Sequence, residues 1–243
     1  MGAWRYLPVV GSTNDLAREW AQTGAPDWSL VVADAQTAGR GRGERRWLTE
    51  PGGALAFSLV LRPTPVETGC LPRFTALAAL GLISALSGLG LAAQLKWPND
   101  VLLAGRKVAG VLVEADWQSA QVEAVVIGMG VNVSPGSVPH ANTLRYPATA
   151  VETVLGAAID RWALLAETLA AMRDYRAILA LDALVDAWNA HLAMRGEWVR
   201  FQADGAAPQV VRVLGVKPDG QLELAHQDGT LQQVLSGEIL MER

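Results

Sequence analysis

Apolar and polar positions follow two rhythms along the chain, and each change of rhythm marks an element. Ser12 and Thr13 carry hydroxyls suited to a helix N-cap; after them Leu16, Ala17, Trp20 and Ala21 recur three and four apart and predict a short helix. Residues 29–35 and 54–61, rich in Val, Leu, Ala and Phe and bounded by Gly or Pro, read as strands. Residues 74–93 carry no charge over a length that could cross a bilayer. Gly88 and Gly90 should stop a helix begun near Pro72 after about fifteen residues, so a buried helix is predicted instead. Strand candidates follow at 94–97, 107–114 and 121–127, separated by Pro98-Asn99-Asp100 and Ala115-Asp116, and such short turns suggest an antiparallel or mixed sheet. Helical spacing returns over 151–179, through Leu155, Ile159, Trp162 and Leu165, and over 181–194, through Leu184, Val185, Trp188 and Leu192. Beyond Gly196 short strands at 198–201, 209–216, 221–225 and 230–235 alternate with Gly and Asp turns and predict a small all-β barrel. The chain therefore reads as a main unit over 1–195 and a small one over 196–243.

Composition narrows the function classes. A hydrophobic share of 51% with 18% charged residues fits a globular chain, and a net charge of -4 argues against a general nucleic-acid binder, which needs a basic surface. Cys70 is the single cysteine, which excludes an intrachain disulfide and multi-cysteine zinc sites and fits a reducing cytoplasm. The first ten residues mix Trp4, Arg5, Tyr6 and Pro8 and lack the apolar run of a secretory signal. A cytoplasmic protein without membrane association is expected.

Four stretches could carry chemistry. In 36–47, four arginines alternate with glycines, which suits neither helix nor strand; such a loop combines backbone freedom with donors for phosphate or carboxylate oxygens, and Trp47 could offer a face to a base. A plain solvated basic loop is the competing reading. Lys96-Trp97-Pro98-Asn99-Asp100 sets a cation and two polar side chains around a proline-fixed turn, though alone it could be only a turn. In 106–114, Lys107 opens an apolar strand in which Gly110 allows close approach, while simple snorkelling would also explain the lysine. Gly128-Met129-Gly130 invites comparison with dinucleotide fingerprints, but the third glycine and the following helix are missing, and no Walker A sequence occurs.

In type and order these motifs resemble those of the biotin protein ligases, through essentially the whole chain. The matching residues are Ser12-Thr13-Asn14, Gln36, the Gly39-Arg40-Gly41-Arg42 loop, Lys96-Trp97-Pro98-Asn99-Asp100, Lys107 with Ala109-Gly110, and Gly130-Val131-Asn132. The resemblance implies an α+β fold: a mixed or antiparallel sheet with helices, similar to class II aminoacyl-tRNA synthetase cores, followed by an SH3-like barrel. It further implies ATP-dependent activation of biotin to biotinyl-5'-AMP, with Mg²⁺, and transfer to a lysine of the biotin carboxyl carrier domain of a carboxylase. By the same resemblance Ser12, Thr13, Asn14 and Gln36 contact biotin, and Gly39, Arg40, Gly41 and Arg42 close over biotin and the adenylate. Lys107 acts near the biotin carboxylate and α-phosphate, with Arg42 and Lys96 as further catalytic cations. Trp47, Gly110 and Asn132 border the nucleotide. No metal-ligating side chains are implied. The family's loop often has a glycine where this chain has Glu44, and another residue where it has Gly43, which bears on loop closure. The chain begins almost at the catalytic unit, so neither a DNA-binding arm nor DNA binding is expected, while a homodimer is allowed. A lipoate ligase and a biotin-sensing DNA-binding regulator are the alternatives; the Arg loop disfavours the first, the negative charge the second.

Overall fold

The computed structural model describes residues 2–43, 45–47, 49, 51–139 and 146–240. The first elements are β1 (Trp4–Val10), α1 (Thr13–Gln22), β2 (Ser29–Gln36), β3 (Ala54–Leu61), α2 (Pro65–Thr68) and α3 (Arg73–Gly88). Next come β4 (Ala93–Lys96), β5 (Asp100–Leu103), β6 (Arg106–Gln118), β7 (Gln121–Asn132), α4 (Val151–Leu155), α5 (Arg161–Ala177) and α6 (Asp182–Ala190). The last are β8 (Trp198–Gln202), β9 (Gln209–Val216), β10 (Leu222–Ala225), β11 (Leu231–Val234) and β12 (Glu238–Leu240).

Seven strands form one mixed sheet in the order β1-β2-β3-β7-β6-β5-β4. β1 and β2 run parallel, and the other neighbours pair antiparallel. The uncharged segment is α3, a helix ending at Gly88 as its glycines suggested. It is apolar all round because it is covered all round: Phe74, Leu77, Leu80 and Leu82 are fully buried between the sheet and α5. Each such side chain contributes about 2 kcal/mol through burial. Gly81 is needed where α3 meets α5, since a Cβ there would lie 2.4 Å from the Met172 side chain. On the opposite face α1 buries Ala17 and Ala21 against Val31, Val60 and Val126. No helix among the described residues is long and apolar enough to cross a membrane.

The five remaining strands form an antiparallel sheet in the order β11-β10-β9-β8-β12. Its Phe201, Val213, Leu222 and Ile239 join the core of the large sheet without a gap. Polar contacts reinforce the junction. The Arg73 guanidinium donates to the carbonyls of Pro218 and Leu181 at 2.8 and 3.0 Å, Trp97 Nε1 donates to Gly220 O at 3.2 Å, and the Asn189 side chain pairs with both backbone groups of Val216.

Several elements depart from the sequence reading. The helix predicted over 151–179 is two: Gly156 at φ +77° caps α4 in the left-handed region, and Asp160 caps the new start by accepting from Trp162 N. The helix predicted over 181–194 stops at Ala190, because the chain turns to pair with β4: Leu95 N donates to His191 O and Ala193 N to Leu95 O. β1, β5 and β12 were not anticipated, and β6 and β7 run beyond their predicted ends.

Candidate functional site

Helix α1 starts the site. The Ser12 hydroxyl caps it by accepting from Asp15 N at 3.5 Å, which holds 12–14 in a tight, buried turn under the ends of β2 and β3. Thr13 N and Oγ1 both donate to Gln36 Oε1, at 2.9 and 3.1 Å, while Gln36 Nε2 donates to Thr49 Oγ1 at 3.2 Å. Asn14 is fixed at both ends: its Oδ1 accepts from the Ser58 hydroxyl at 2.6 Å, and its Nδ2 donates to Glu114 Oε2 at 2.8 Å. The glycine at 128 makes room for it, since a Cβ there would lie 2.0 Å from Asn14 Oδ1. This wall is braced from within, because the Asn14 and Gln36 amides bond to neighbouring side chains.

The opposite wall is the arginine loop. Trp47 N donates to Gly39 O at 3.0 Å and Gly41 N to Arg45 O at 2.7 Å, so the segment folds back on itself with Arg40 opposite Arg46. Three arginines tie it down. Arg40 grips Glu114 with two parallel bonds of 3.0 and 2.8 Å and reaches Asp15 at 2.7 Å. Arg42 donates to Gly237 O at 3.4 Å, and Arg45 makes a forked pair with Glu238 at 3.2 and 2.7 Å, so the second sheet holds the loop's far side. Trp47 lies across β7 where Gly130 leaves space: a Cβ there would come 2.2 Å from the indole. The indole Nε1 is buried without a hydrogen-bond partner.

Lys107 closes the third side from the start of β6. Its Nζ meets Asp100 Oδ1 at 2.6 Å and stands 5.7 Å from the centre of the Trp47 ring. Burial pushes the nearby Lys96 ammonium below its ordinary pKa, and Lys107 and Arg45 add to this, while Asp100 and Glu238 oppose it. Burial also pushes the Glu114 carboxyl up, but the hydrogen bonds from Arg40 and Asn14 outweigh it and hold the group below the usual carboxylate range.

Together these walls enclose a cavity of about 110 Å³. Ser12, Thr13, Asn14, Gln36, Arg40, Gly41, Arg42, Trp47, Lys107 and Gly110 all line it, although they come from three separate stretches of sequence, 12–14, 36–47 and 107–110. Three expected site residues do not. Lys96 is 1% exposed, with its Nζ 5.0 Å from the centre of the Tyr146 ring, because β4 turns that side chain inward. Asn132 donates to Thr149 O at 3.1 Å instead of facing the cavity. Gly39 serves the loop's base, where a Cβ would strike Trp47 O at 2.4 Å. Asn99, Asp100, Arg45, Arg46, Gly128 and Gly130 also border the cavity without having been singled out as site residues. The glycines at 128 and 130 accommodate Asn14 and Trp47, which explains a Gly-x-Gly without a dinucleotide motif. Gly43 adopts φ +66°, a left-handed turn that glycine enters without strain, whereas Glu44 lies outside the described residues.

Residues 6–132 match the family model described as the biotin/lipoate A/B protein ligase family. The chain is 32% identical over 240 residues to the bifunctional ligase/repressor BirA of Bacillus spizizenii, covering 96% of this chain and 72% of that protein. It is 39% identical over 202 residues to the biotin–[acetyl-CoA-carboxylase] ligase of Paracoccus denitrificans, covering 79% of this chain and 81% of that one. Among solved structures, the biotin protein ligase from Aquifex aeolicus in complex with biotin and ATP superposes with a TM-score of 0.81 at 27% identity, over 97% of each chain.

Proposed function

The chain belongs to the biotin/lipoate A/B protein ligase family, and from that premise we propose how its cavity performs the reaction of a biotin–protein ligase. The activity is the activation of biotin with ATP and the transfer of the activated group to a carrier protein. The acceptor in our reading is a lysine on the biotin carboxyl carrier domain of a carboxylase. One observation carries the assignment of the site: a single cavity joins the uncharged polar wall of Ser12, Thr13, Asn14 and Gln36 to the cations Arg42, Arg46 and Lys107.

The two halves suit the two parts of the chemistry. A neutral ligand head rich in N–H and C=O groups fits the hydroxyl and amide wall, which is braced from within. The carboxylate and the α-phosphate must approach each other although both are anions, and Lys107 beside Gly110 is the cation placed to relieve that repulsion. Asp100, at 2.6 Å, holds the Lys107 ammonium in position. Arg42 lies on the loop side, where it would hold the adenylate against water until the acceptor amine attacks. In our reading Lys96 acts from behind the wall, on Asp100 opposite it in the β4–β5 pair, and not as a ligand contact.

Among the described residues no group of three or more His, Cys, Asp and Glu side chains forms a metal cage. In our reading Mg²⁺ would arrive on the phosphates of ATP, where it would offset the charge of the departing pyrophosphate. The test is to incubate the protein with biotin, Mg-ATP and a carrier domain. The expected product is a carrier with one biotinyl mass increment on a lysine; an unmodified carrier in the presence of confirmed adenylate would overturn the transfer assignment. Biotin-dependent exchange between pyrophosphate and ATP tests the first step, and faster exchange with lipoate than with biotin would overturn the substrate choice.

A further inference from the structure

Glu114 closes the 106–114 stretch without a role of its own, yet its carboxylate ties together two segments that build the site, the arginine loop and the start of α1. Both oxygens accept from Arg40 of the loop, at 3.0 and 2.8 Å, and one of them also accepts from Asn14 of the polar wall at 2.8 Å. Arg18 of α1 stands 3.7 Å away. Asp15, in the first turn of α1, takes a further Arg40 N–H at 2.7 Å. The Glu114 side chain is only 20% exposed, against 37% for Arg40 and 53% for Asp15, so it is the fixed member of the cluster.

We propose that Glu114 is a positioning residue for the ligase reaction: it holds Arg40 and Asn14 in place before any ligand enters, and thereby folds the first turn of the arginine loop. Arg40 is then not the anion-binding arginine that its place in the loop suggested. Three of its N–H bonds already go to two carboxylates, and a ligand anion would compete with both for the guanidinium. What Arg40 supplies is an anchor at the loop's base, while Arg42 and Arg45 reach the second sheet from its far side. Because the same carboxylate orients Asn14, loss of Glu114 disturbs both walls at once. The proposal rests on the functional reading above for its kinetic consequences, but not for its structural ones.

The test uses the full chain and two readouts. In the first, without ligand, trypsin digestion is followed by mass spectrometry for cuts after Arg40, Arg42, Arg45 and Arg46. Glu114→Gln, which keeps size but removes the charge, should raise these cutting rates about tenfold, the scale expected for losing one charge-assisted pair. Its thermal midpoint should move by only about 3 °C, as for a local loss of order 1 kcal/mol in a chain of this size. In the second readout, biotin-dependent pyrophosphate exchange, the loss should fall on KM for biotin, about tenfold, and not on kcat. Combining Glu114→Gln with Arg40→Met should cost little more than either change alone, since the two act through one contact. Unchanged loop cutting in Glu114→Gln would overturn the proposal, as would a fall confined to kcat or strictly additive effects in the double variant. A parent chain with no biotin-dependent exchange would instead remove the functional reading, and the proteolysis would still decide the role of Glu114.

Discussion

Two arginines each grip two carboxylates, at opposite stations in the molecule and with opposite results. Arg176 on α5 pairs with Asp27 and Glu67 at 2.8 and 2.9 Å and also donates to the Arg62 carbonyl; its side chain is 13% exposed. Arg40 pairs with Glu114 and Asp15 at similar distances but is 37% exposed. The first joins α5 to α2 and to the segments flanking β2 and β3, and its guanidinium and Glu67 are shielded, at 13% and 11% exposure, although Asp27 is 40% exposed. The second holds a glycine-rich loop at the edge of a cavity, where water can replace either partner. The same fork of donors is thus a permanent joint where it is shielded and a releasable catch where it is wet.

The sharpest test of that contrast removes the shielded arginine. Arg176→Met should lower the stability to denaturant by about 2 kcal/mol, because the shielded Glu67 carboxylate loses its cation while the more exposed Asp27 is partly compensated by water. Tryptic cutting of the loop should not change, and a stability within error of the parent would erase the distinction. Lys107→Ala should leave the denaturation curve in place but reduce biotin-dependent pyrophosphate exchange by about a hundredfold, since a charge at the transition state is lost. Near-parental exchange would remove Lys107 from its proposed role. Arg42→Gly should release labelled adenylate about tenfold faster while slowing its synthesis less, because a donor and loop order are lost together. Equal release from variant and parent would show that retention lies elsewhere.

The smallest effect is a pH dependence of the shielded joint. Burial pushes the Glu67 carboxyl up, but the hydrogen bonds from Arg176 and Thr64 outweigh it and hold the group below the ordinary carboxylate range. A depressed acid contributes stability that is complete above its unfolded value of about 4.3 and is lost as pH falls through the lower folded value. The thermal midpoint should therefore decline below about pH 4, and Glu67→Gln should flatten that decline. An identical slope in the variant would assign the acid sensitivity to other groups.

Much of the fold was legible because local chemistry set it. Ser12 capping α1 and the glycines ending α3 are signals that act within one turn of helix. The breaks that were missed answer to other rules. Gly156 sits inside a stretch whose leucines keep helical spacing on both sides, so periodicity runs through it, whereas its left-handed backbone does not. β1 is an edge strand with exposed Trp4, Tyr6 and Val9, so the alternation that marks a half-buried strand is absent. β5 is four residues long, and its hairpin turn at Ala104 and Gly105, both at positive φ, was the only local signal of it. For the site, the cavity-lining loop and lysine could be read as motifs, but the inward turn of Lys96 and the partner of Asn132 depend on tertiary neighbours. Glu114 ends the stretch that Lys107 opens, but its partners lie 74 and 100 residues away, beyond any local pattern.

Arg45 and Glu238 are separated by 193 positions along the chain. Chains are synthesised from the N-terminus at about 5 to 20 residues per second, so the loop exists for some 10 to 40 s before the strand that pins its far side has been made. During that interval the polar wall can form, since Ser12, Gln36 and Ser58 all precede residue 60, but the loop has only its near catch. Holding a reactive adenylate under the loop would in this sense wait on β12, the strand that supplies the partner of Arg45.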